Sequence, residues 1–324
     1  MAVRSALRKI VFTWRPGEQS LALLRRALPD VRMVVAEDDQ LARELRDAQL
    51  LVGMPPSDEI LAEARQLSWV HVPFAGVERV LRPSLVERGV TITNSRGVSA
   101  PNMAEHIVAM MLAFARGLPD LLRSQQKHEW RPWGQRPPVF ELTDQTVLLL
   151  GVGAIGQATA HRLRPFGARL IGARRRPEQA AVPGIDRIIA FDVLPEVLPE
   201  ADHVVSSLPL TPTTVGIVSA EMIERFKPGA YFYNVGRGGT VDQEALVAAL
   251  RRGHLAGAGL DVTDPEPLPP DSPLWDMPNV IITGHTSGAS PRTEARVVAL
   301  LEENVRRYID GRELLNVVDP VHGY

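Results

Sequence analysis

Three charged or titratable side chains each follow an apolar run in the second half of the chain: Arg237, Glu266 and His285. A guanidinium can hold a carboxylate and polarise the carbonyl group beside it. An imidazole can deliver a proton near neutral pH, and a neighbouring glutamate favours the protonated ring. Together these residue types suit the reduction of a 2-oxo acid.

The apolar runs before these residues predict strands of one parallel sheet. Residues that follow such strands can meet at one edge of the sheet. Ligands of open parallel sheets bind beyond the carboxyl ends of the strands, so residues far apart in sequence can reach one crevice. Each residue also has an ordinary interpretation, as a loop arginine, a surface carboxylate in a proline-rich turn and a loop histidine. Their spacing alone leaves these alternatives open.

A glycine-rich turn at residues 151–156, with the sequence GVGAIG, lies between the apolar run 146–150 and a predicted helix. Gly151 permits a tight turn, Gly153 lets the backbone approach phosphates, and Gly156 lets the helix pack closely on the strand. The helix N-terminus then faces the anion. This context predicts a dinucleotide-binding site, and a glycine-rich turn without a ligand is the alternative.

The end of the next predicted strand indicates which dinucleotide binds. An NAD-selective domain usually has Asp or Glu there, about 20 residues after the glycines, to hold the ribose 2′-hydroxyl. In this chain that place has no carboxylate and is followed by Arg174, Arg175 and Arg176. Guanidinium groups can bind a 2′-phosphate through charge-assisted hydrogen bonds. We therefore predict NADP(H) as the preferred cofactor and NAD(H) as the second choice, with a solvated basic turn as the alternative.

Composition limits the class of protein. The chain has 324 residues, of which 45% are hydrophobic, and this length suggests two domains. Lys and Arg total 36 against 38 Asp and Glu, so no global charge favours nucleic acid or membranes as partners. The absence of cysteine excludes disulfides, thiolate metal sites and cysteine catalysis, and the histidines show no paired spacing for a metal. With no secretory signal and no membrane span in the sequence, we expect a cytoplasmic protein.

Apolar and amphipathic segments alternate along most of the chain, which is the pattern of βαβ units. This pattern predicts two doubly wound parallel-sheet α/β domains with a cleft between them. The N-terminal third has predicted strands at 10–13, 31–35, 50–53, 69–72 and 90–93, with helices at 21–28, 41–47 and 60–65. A long helical segment follows at about 101–128, which Gly117 and Pro119 are expected to kink or interrupt. The second series has predicted strands at 146–150, 168–172, 187–190, 203–207, 230–234, 256–260 and 280–283. A last helix is predicted from Arg292, with Ser290 as its N-cap.

Several segments in a characteristic order make the chain similar to the D-isomer-specific 2-hydroxyacid dehydrogenase family. The resemblance rests on the glycine turn, on the segments around Arg237, Glu266 and His285, and on further motifs. Those motifs are Asn94-Ser95-Arg96-Gly97, Ala104-Glu105-His106 and residues 207–214 with the sequence SLPLTPTT. The resemblance covers nearly the whole chain and is closest to bacterial glyoxylate/hydroxypyruvate reductases and related 2-ketoacid reductases.

The family resemblance implies a reaction and a role for each residue. Arg237 would orient the substrate, His285 would act as the acid/base, and Glu266 would pair with His285. The reaction would be the reversible reduction of a small 2-oxo acid to the D-2-hydroxy acid. Backbone amides of the loop 72–77 would hold the substrate carboxylate, which assigns substrate contacts to Phe74, Ala75 and Gly76.

The resemblance also implies the domain boundaries, the assembly and the cofactor contacts. A flavodoxin-like substrate domain would comprise residues 1–98 and 292–324, and a Rossmann-type cofactor domain would comprise residues 99–291. A homodimer is expected, built around the segment 101–128. Cofactor contacts are expected at Gly151, Gly153, Ala154, Ile155, Gly156, Arg174, Arg175, Arg176, Leu208, Pro209, Thr214, Val235, Gly236, Arg237, Asp261, His285 and Ser287.

Some alternatives stay open within and beyond the family. Phe74, Met54 and a tryptophan can line a pocket for larger 2-ketoacids such as phenylpyruvate, and phosphite dehydrogenases share the three catalytic residue types. A dinucleotide-dependent corepressor, in which binding partners matter more than turnover, is an alternative from a different class. Trp130 or Trp133 can contact the substrate in a partner subunit or only pack in the dimer. We favour His106 as a helix histidine at the domain junction.

Overall fold

The computed structural model describes residues 7–135, 138–178 and 181–320, apart from the side chains of Asp38 and Trp133. The outermost residues of the predicted substrate domain lie outside these ranges. No helix within the ranges is long and apolar enough to cross a membrane. The same residues contain no group of three or more His, Asp or Glu side chains placed to hold a metal ion. A cytoplasmic location stays a prediction.

The chain divides into two compact units, each built on its own parallel sheet. The first unit comprises the residues up to Val98 together with those from Ser290 onward, and the second runs from Ser99 to Ala289. The first unit is therefore discontinuous in sequence, because its last segment follows the whole of the second unit. Two parallel-sheet α/β units confirm the predicted fold class.

Among its described residues, the first unit contains a five-stranded sheet and five α-helices. Its strands are β1 (Lys9–Phe12), β2 (Arg32–Val35), β3 (Leu50–Val52), β4 (Trp69–Val72) and β5 (Thr91–Asn94). Its helices are α1 (Glu18–Ala27), α2 (Asp38–Leu45), α3 (Asp58–Glu63), α4 (Pro83–Val86) and, after the second unit, α11 (Thr293–Ile309). The strand order β2-β1-β3-β4-β5 is the flavodoxin-like order. Sequence periodicity does not predict α4, because a single turn that begins at a proline is too short to show a period.

The central strands of this sheet are apolar on both faces because helices cover both sides. Val11 and Val70 belong to one hydrophobic cluster, whereas Ile10 and Trp69 belong to the cluster that includes α11. The rings of Trp69 and Tyr308 stack with their centroids 5.4 Å apart. This packing of α11 against the sheet explains why the end of the chain returns to the first unit.

The second unit contains a seven-stranded parallel sheet. Its strands are β6 (Thr146–Leu150), β7 (Arg169–Ala173), β8 (Arg187–Ile189), β9 (His203–Ser206), β10 (Ala230–Asn234), β11 (Leu255–Leu260) and β12 (Val280–Ile282). Its helices are α5 (Ala100–Ala115), α6 (Leu118–Gln126), α7 (Ala154–Leu163), α8 (Leu194–Val197), α9 (Ala220–Glu224) and α10 (Gln243–Arg251). The strand order β12-β11-β10-β9-β6-β7-β8 contains the Rossmann order with one added strand at the β12 edge.

Two glycines in β11 let α5 pack closely on this sheet. A Cβ atom on Gly259 would lie 2.7 Å from the Met110 sulfur, and one on Gly257 would lie 3.1 Å from the Phe114 ring. Met110 and Phe114 lie one helical turn apart, on the face of α5 that the core buries. The strand sequence thus fixes the position of α5 relative to the strands that carry the candidate site.

The segment predicted to be helical over 101–128 consists of two helices. α5 ends at Ala115, and Gly117 precedes α6 with a left-handed backbone at φ 65°. Glycine adopts this conformation readily, so it ends the first helix at the expected place.

The last helix begins slightly later than predicted. Arg292 occupies the position before its first residue, so the prediction of Ser290 as the N-cap is wrong. The Ser290 hydroxyl oxygen instead accepts a hydrogen bond from the Arg292 N–H over 3.2 Å. The serine therefore stabilises the turn that precedes α11 rather than the first turn of the helix itself.

Candidate active site

The glycine turn joins β6 to α7. Gly151 has φ 96°, which residues with a side chain rarely adopt, and a Cβ atom on Gly156 would lie 2.2 Å from the Gly151 carbonyl oxygen. Apart from Gly153 itself and its two neighbours in the chain, no atom of the described residues lies within 4 Å of the point where a Cβ on Gly153 would stand. Gly153 directly precedes α7, whose first residues are Ala154 and Ile155. The turn thus leaves open space at a helix N-terminus, which fits a dinucleotide pyrophosphate.

Because the carboxyl ends of parallel strands lie at the same edge of a sheet, the other predicted cofactor residues lie at the edge that bears the glycine turn. Arg174 follows β7, Leu208 and Pro209 follow β9, Val235 and Gly236 follow β10, Asp261 follows β11, and Ser287 lies after β12. The Thr214 hydroxyl donates to the Pro209 carbonyl over 2.6 Å and so closes its own loop. Leu208, Val235, Asp261 and Ser287 are buried, and their cofactor contacts stay predictions.

The three arginines lie directly after β7. The Arg174 backbone N–H donates to the Ile189 carbonyl, and its guanidinium donates to the Pro177 carbonyl over 3.3 Å. Arg175 and Arg176 are exposed. From residue 173 to residue 177 the turn carries three positive charges and no carboxylate.

Arg237 lies in a tight loop after β10 that two glycines make possible. A Cβ atom on Gly236 would lie 2.4 Å from backbone oxygen in the segment after β9, and one on Gly238 would lie 1.9 Å from the Thr263 carbonyl oxygen. The Asn234 side chain accepts from the Gly236 N–H and donates to the Arg237 carbonyl, both over 3.0 Å. These close contacts fix the backbone from which the guanidinium extends.

Glu266 lies in a loop that α10 holds by one side chain. Gln243 pairs with both backbone groups of Asp264, donating to its carbonyl over 2.7 Å and accepting from its N–H over 3.0 Å. The Thr263 hydroxyl donates to the Pro265 carbonyl over 2.9 Å. The backbone just before Glu266 is therefore tied to a helix and to itself.

Glu266 and His285 meet through a hydrogen bond between Oε1 of the glutamate and Nδ1 of the histidine. Because Nδ1 is engaged, Nε2 is the ring atom left to exchange a proton with a substrate. His285 has a left-handed backbone at φ 59°, which is rare for residues other than glycine. Its N–H donates to the Asp261 carbonyl over 2.6 Å.

The Asp261 carboxylate organises the segment that carries His285. Its Oδ1 accepts from the Thr283 hydroxyl over 2.6 Å and from the Thr286 N–H over 2.9 Å, and both of its oxygens accept from the Ser287 N–H. Burial alone raises the pKa of the Asp261 carboxyl, but the hydrogen bonds outweigh burial and hold that pKa below its usual value. An ionised carboxylate thus binds residues on both sides of the histidine.

In the first unit, the loop after β4 contains the predicted substrate residues. The Asn94 side chain donates to the Ala75 carbonyl over 2.7 Å, and the Ser95 N–H donates to the Phe74 carbonyl over 3.0 Å. Within the described part of the chain, no group accepts a hydrogen bond from the N–H of Phe74, Ala75 or Gly76. Two carbonyls of the loop are therefore bound by residues at the end of β5, and its amide donors are available to an anion.

Sequence reasoning missed three residues that hold these loops. Asn234 and Thr283 lie in the segments that carry Arg237 and His285, two or three residues from each. Gln243 lies 21 residues from Asp264, and only the topology shows that α10 passes beside that loop. A polar side chain at the end of an apolar strand was the signal for the first two, and the sequence holds no such signal for Gln243.

Comparisons with known proteins agree with this arrangement. The family described as "D-isomer specific 2-hydroxyacid dehydrogenase, NAD binding domain" matches residues 108–287. The human protein named glyoxylate reductase/hydroxypyruvate reductase is 31% identical over 324 residues, covering 95% of this chain and 97% of that protein.

Two solved structures are similar over almost the whole chain. The D-isomer specific 2-hydroxyacid dehydrogenase from Xanthobacter autotrophicus, in complex with NADPH and MES, has a TM-score of 0.85 and 32% identity, covering 98% of this chain and 100% of its own. The NADPH-dependent glyoxylate/hydroxypyruvate reductase from Sinorhizobium meliloti, in complex with NADP and sulfate, has a TM-score of 0.83 and 30% identity with the same coverage. The chain belongs to the D-isomer specific 2-hydroxyacid dehydrogenase family and is an oxidoreductase with a nicotinamide dinucleotide as its cofactor.

Proposed function

We propose that the chain uses NADPH to reduce a small 2-oxo acid, such as glyoxylate or hydroxypyruvate, to the D-2-hydroxy acid, and catalyses the reverse oxidation. One observation carries the proposal. His285 and Glu266 are hydrogen-bonded to each other in loops that follow strands of the parallel sheet, at the same edge as Arg237 and the glycine turn. The relative named glyoxylate reductase/hydroxypyruvate reductase and the neighbour in complex with NADP support it.

The residues divide the chemistry between binding and proton transfer. Arg237 binds the substrate carboxylate through charge-assisted hydrogen bonds and polarises the carbonyl beside it. When bound at the glycine turn, a reduced nicotinamide dinucleotide would supply the hydride for C2 of the substrate. His285 gives the proton on Nε2 to the former carbonyl oxygen, and Glu266 stabilises the protonated imidazole. We assign further hydrogen bonds to the substrate carboxylate to the amide donors of residues 74–76.

Initial rates with NADPH and NADH across glyoxylate, hydroxypyruvate, pyruvate and phenylpyruvate test the substrate. We expect the highest kcat/KM with glyoxylate or hydroxypyruvate. A preference for phenylpyruvate would favour the alternative with larger 2-ketoacids, for which Phe74 and Met54, 42% and 40% exposed, offer apolar surface. Turnover of phosphite alone would favour a phosphite dehydrogenase, and dinucleotide binding without any turnover would favour a corepressor-like role.

The arginines after β7 lead to a prediction about the cofactor. We expect the double variant Arg174→Ala/Arg175→Ala to lose about 10- to 100-fold in kcat/KM for NADPH, since hydrogen bonds to a charged group contribute ~1.5–3 kcal/mol. The kcat/KM for NADH should change little, because NADH has no 2′-phosphate. Arg187→Ala is the matched control, because it removes a surface arginine of β8 that pairs with Glu200. Wild-type protein that prefers NADH by about tenfold or more would contradict the assignment.

We also propose a homodimer in which α6 and the residues after it form part of the interface. Leu118, Leu121 and Leu122 of α6 are 44%, 37% and 57% exposed, and Trp130 is 92% exposed. Clustered large apolar side chains on a surface usually mark an interaction site. The family resemblance assigns the dimer contact to the same segment. Contact of Trp130 with a partner's substrate stays a prediction, and the side chain of Trp133 lies outside those described.

A charge on this surface tests the dimer. We expect Leu122→Glu to lower the mass measured by light scattering from that of two chains to that of one, because an apolar interface cannot solvate a carboxylate. Leu23→Glu is the matched control, since Leu23 is a 55% exposed helix residue of the first unit. A monomeric wild-type protein, or a Leu122→Glu variant that keeps the dimer mass, would disprove the interface.

A further inference from the structure

Two polar side chains of α5 lie one helical turn apart and both contact the segment that carries His285. The Asn102 amide donates to the Ser287 carbonyl over 2.8 Å, and His106 Nε2 lies 3.0 Å from the Thr283 hydroxyl oxygen. Thr283 precedes His285 by two residues, and Ser287 follows it by two. One helix therefore binds both sides of the candidate acid/base.

The hydrogen bonds around Thr283 fix where the protons lie. Its hydroxyl donates to Asp261 Oδ1 over 2.6 Å, and Asp261 is ionised, so the hydroxyl proton points to the carboxylate. The Thr283 oxygen then accepts from His106, which places a proton on Nε2 of that histidine. A continuous chain of donors runs from His106 through Thr283 to Asp261, whose Oδ1 also accepts from the Thr286 N–H.

The position of the His285 ring depends on this backbone. The ring is half-exposed, and its partner Glu266 is also part-exposed, so surrounding packing does not confine either side chain. The left-handed backbone of His285 must be held by its neighbours, since residues other than glycine rarely adopt it. Asp261 holds the segment from β11, and Asn102 and His106 hold it from α5.

We propose that Asn102 and His106 are positioning residues for proton transfer by His285. By keeping Thr283 and Ser287 in place beside Asp261, they fix the direction in which Nε2 of His285 points. The proposal assigns neither residue a contact with the reacting atoms. The inference rests on the proposed acid/base role of His285 and replaces the interpretation of His106 as an ordinary helix histidine.

Paired substitutions at both ends of the His106–Thr283 hydrogen bond test the proposal. His106→Leu and Thr283→Val remove the donor and the hydroxyl, and a displaced acid/base group can cost about 100-fold in rate. We expect each variant to lower kcat by about 10- to 100-fold with little change in the KM for dinucleotide. His106→Gln and Thr283→Ser retain a donor and a hydroxyl, and they should restore most of kcat.

A double variant separates positioning from general destabilisation. If the two residues act through one hydrogen bond, His106→Leu/Thr283→Val has a kcat within about twofold of the slower single variant. His161→Leu, an exposed histidine in the last turn of α7, is the control and should keep wild-type kcat. The proposal is wrong if His106→Leu keeps kcat within about twofold of wild type. It is also wrong if the Gln and Ser variants lose kcat and melting temperature in step with the Leu and Val variants.

Amide hydrogen exchange gives a readout that needs no turnover. We expect faster exchange across residues 283–288 in His106→Leu and in Asn102→Asp, which removes the amide donor without changing size. Exchange in His161→Leu should match wild type. If the wild-type protein turns over none of the 2-oxo acids, the proposed function fails while this measurement still decides whether α5 holds the segment. Unchanged exchange in both variants would overturn the positioning role.

Discussion

Replacing His285 with asparagine lowers kcat by about 10²- to 10⁴-fold, the range expected for loss of a general acid/base. Asparagine keeps a polar side chain of moderate size but cannot exchange a proton near neutral pH. Because one ring atom gives the proton in reduction and accepts it in oxidation, the loss appears in both directions. Initial rates with hydroxypyruvate and NADPH, and with D-glycerate and NADP, measure it.

Two comparisons make the His285 result specific. His254→Asn changes a histidine of the same unit that contacts the Ile223 carbonyl, and it should leave kcat unchanged. Glu266→Gln should lower kcat less than His285→Asn does, and adding it to His285→Asn should cause little further loss, because Glu266 acts through the imidazole. Dinucleotide affinity of His285→Asn, measured by fluorescence, should stay near the wild-type value. A His285→Asn variant that keeps more than about a tenth of kcat would contradict the assignment.

Replacing Arg237 with glutamine lowers kcat/KM for the 2-oxo acid by about 30-fold to several thousand-fold, as expected when truncation of one partner of a charge pair costs ~2–5 kcal/mol. The substrate carboxylate then has no guanidinium partner, and the carbonyl loses its polarising charge. Arg237→Lys keeps the charge but loses the planar fork of donors, so we expect it to be intermediate. Saturation kinetics with glyoxylate and hydroxypyruvate measure both variants.

The control for Arg237 is an arginine of the same unit with no place in the site. Arg225 pairs with Glu221 on the surface of α9 and its C-terminal flank, so Arg225→Gln should leave kcat/KM unchanged. The KM for NADPH in Arg237→Gln should change much less than the KM for the 2-oxo acid. An equal rise in the KM for NADPH and in the KM for the 2-oxo acid would indicate that the substitution disturbs the loop between Gly236 and Gly238 rather than substrate binding alone.

The fold follows from patterns that the sequence displays locally. Buried parallel strands are short apolar runs, and the helices between them repeat apolar residues with a helical period, so both α/β series are predictable. The break at Gly117 is predictable because glycine and proline act on the local backbone. The N-cap of α11 is not, because Ser290 has an alternative acceptor role in the preceding turn.

The sequence predicts the proposed reacting side chains of the candidate site better than it predicts the hydrogen bonds that hold their loops. The strand pattern predicts that Arg237, Glu266 and His285 can meet at one edge of the sheet, and their proposed roles come from the family resemblance. The hydrogen bonds from Gln243 to Asp264 and from Asn102 to Ser287 join residues 21 and 185 positions apart. No period or local motif encodes such pairs, since they depend on how α5 and α10 pack against the sheet.

Transfer of deuterium from NADPH labelled at the reactive C4 position tests the central claim most directly. With hydroxypyruvate as substrate, the account predicts D-glycerate that carries one deuterium at C2, formed at a rate that His285→Asn reduces in proportion to kcat. Mass spectrometry and chiral separation of the product measure both. Unlabelled glycerate, the L isomer, or equal labelling rates in the wild type and His285→Asn would contradict it.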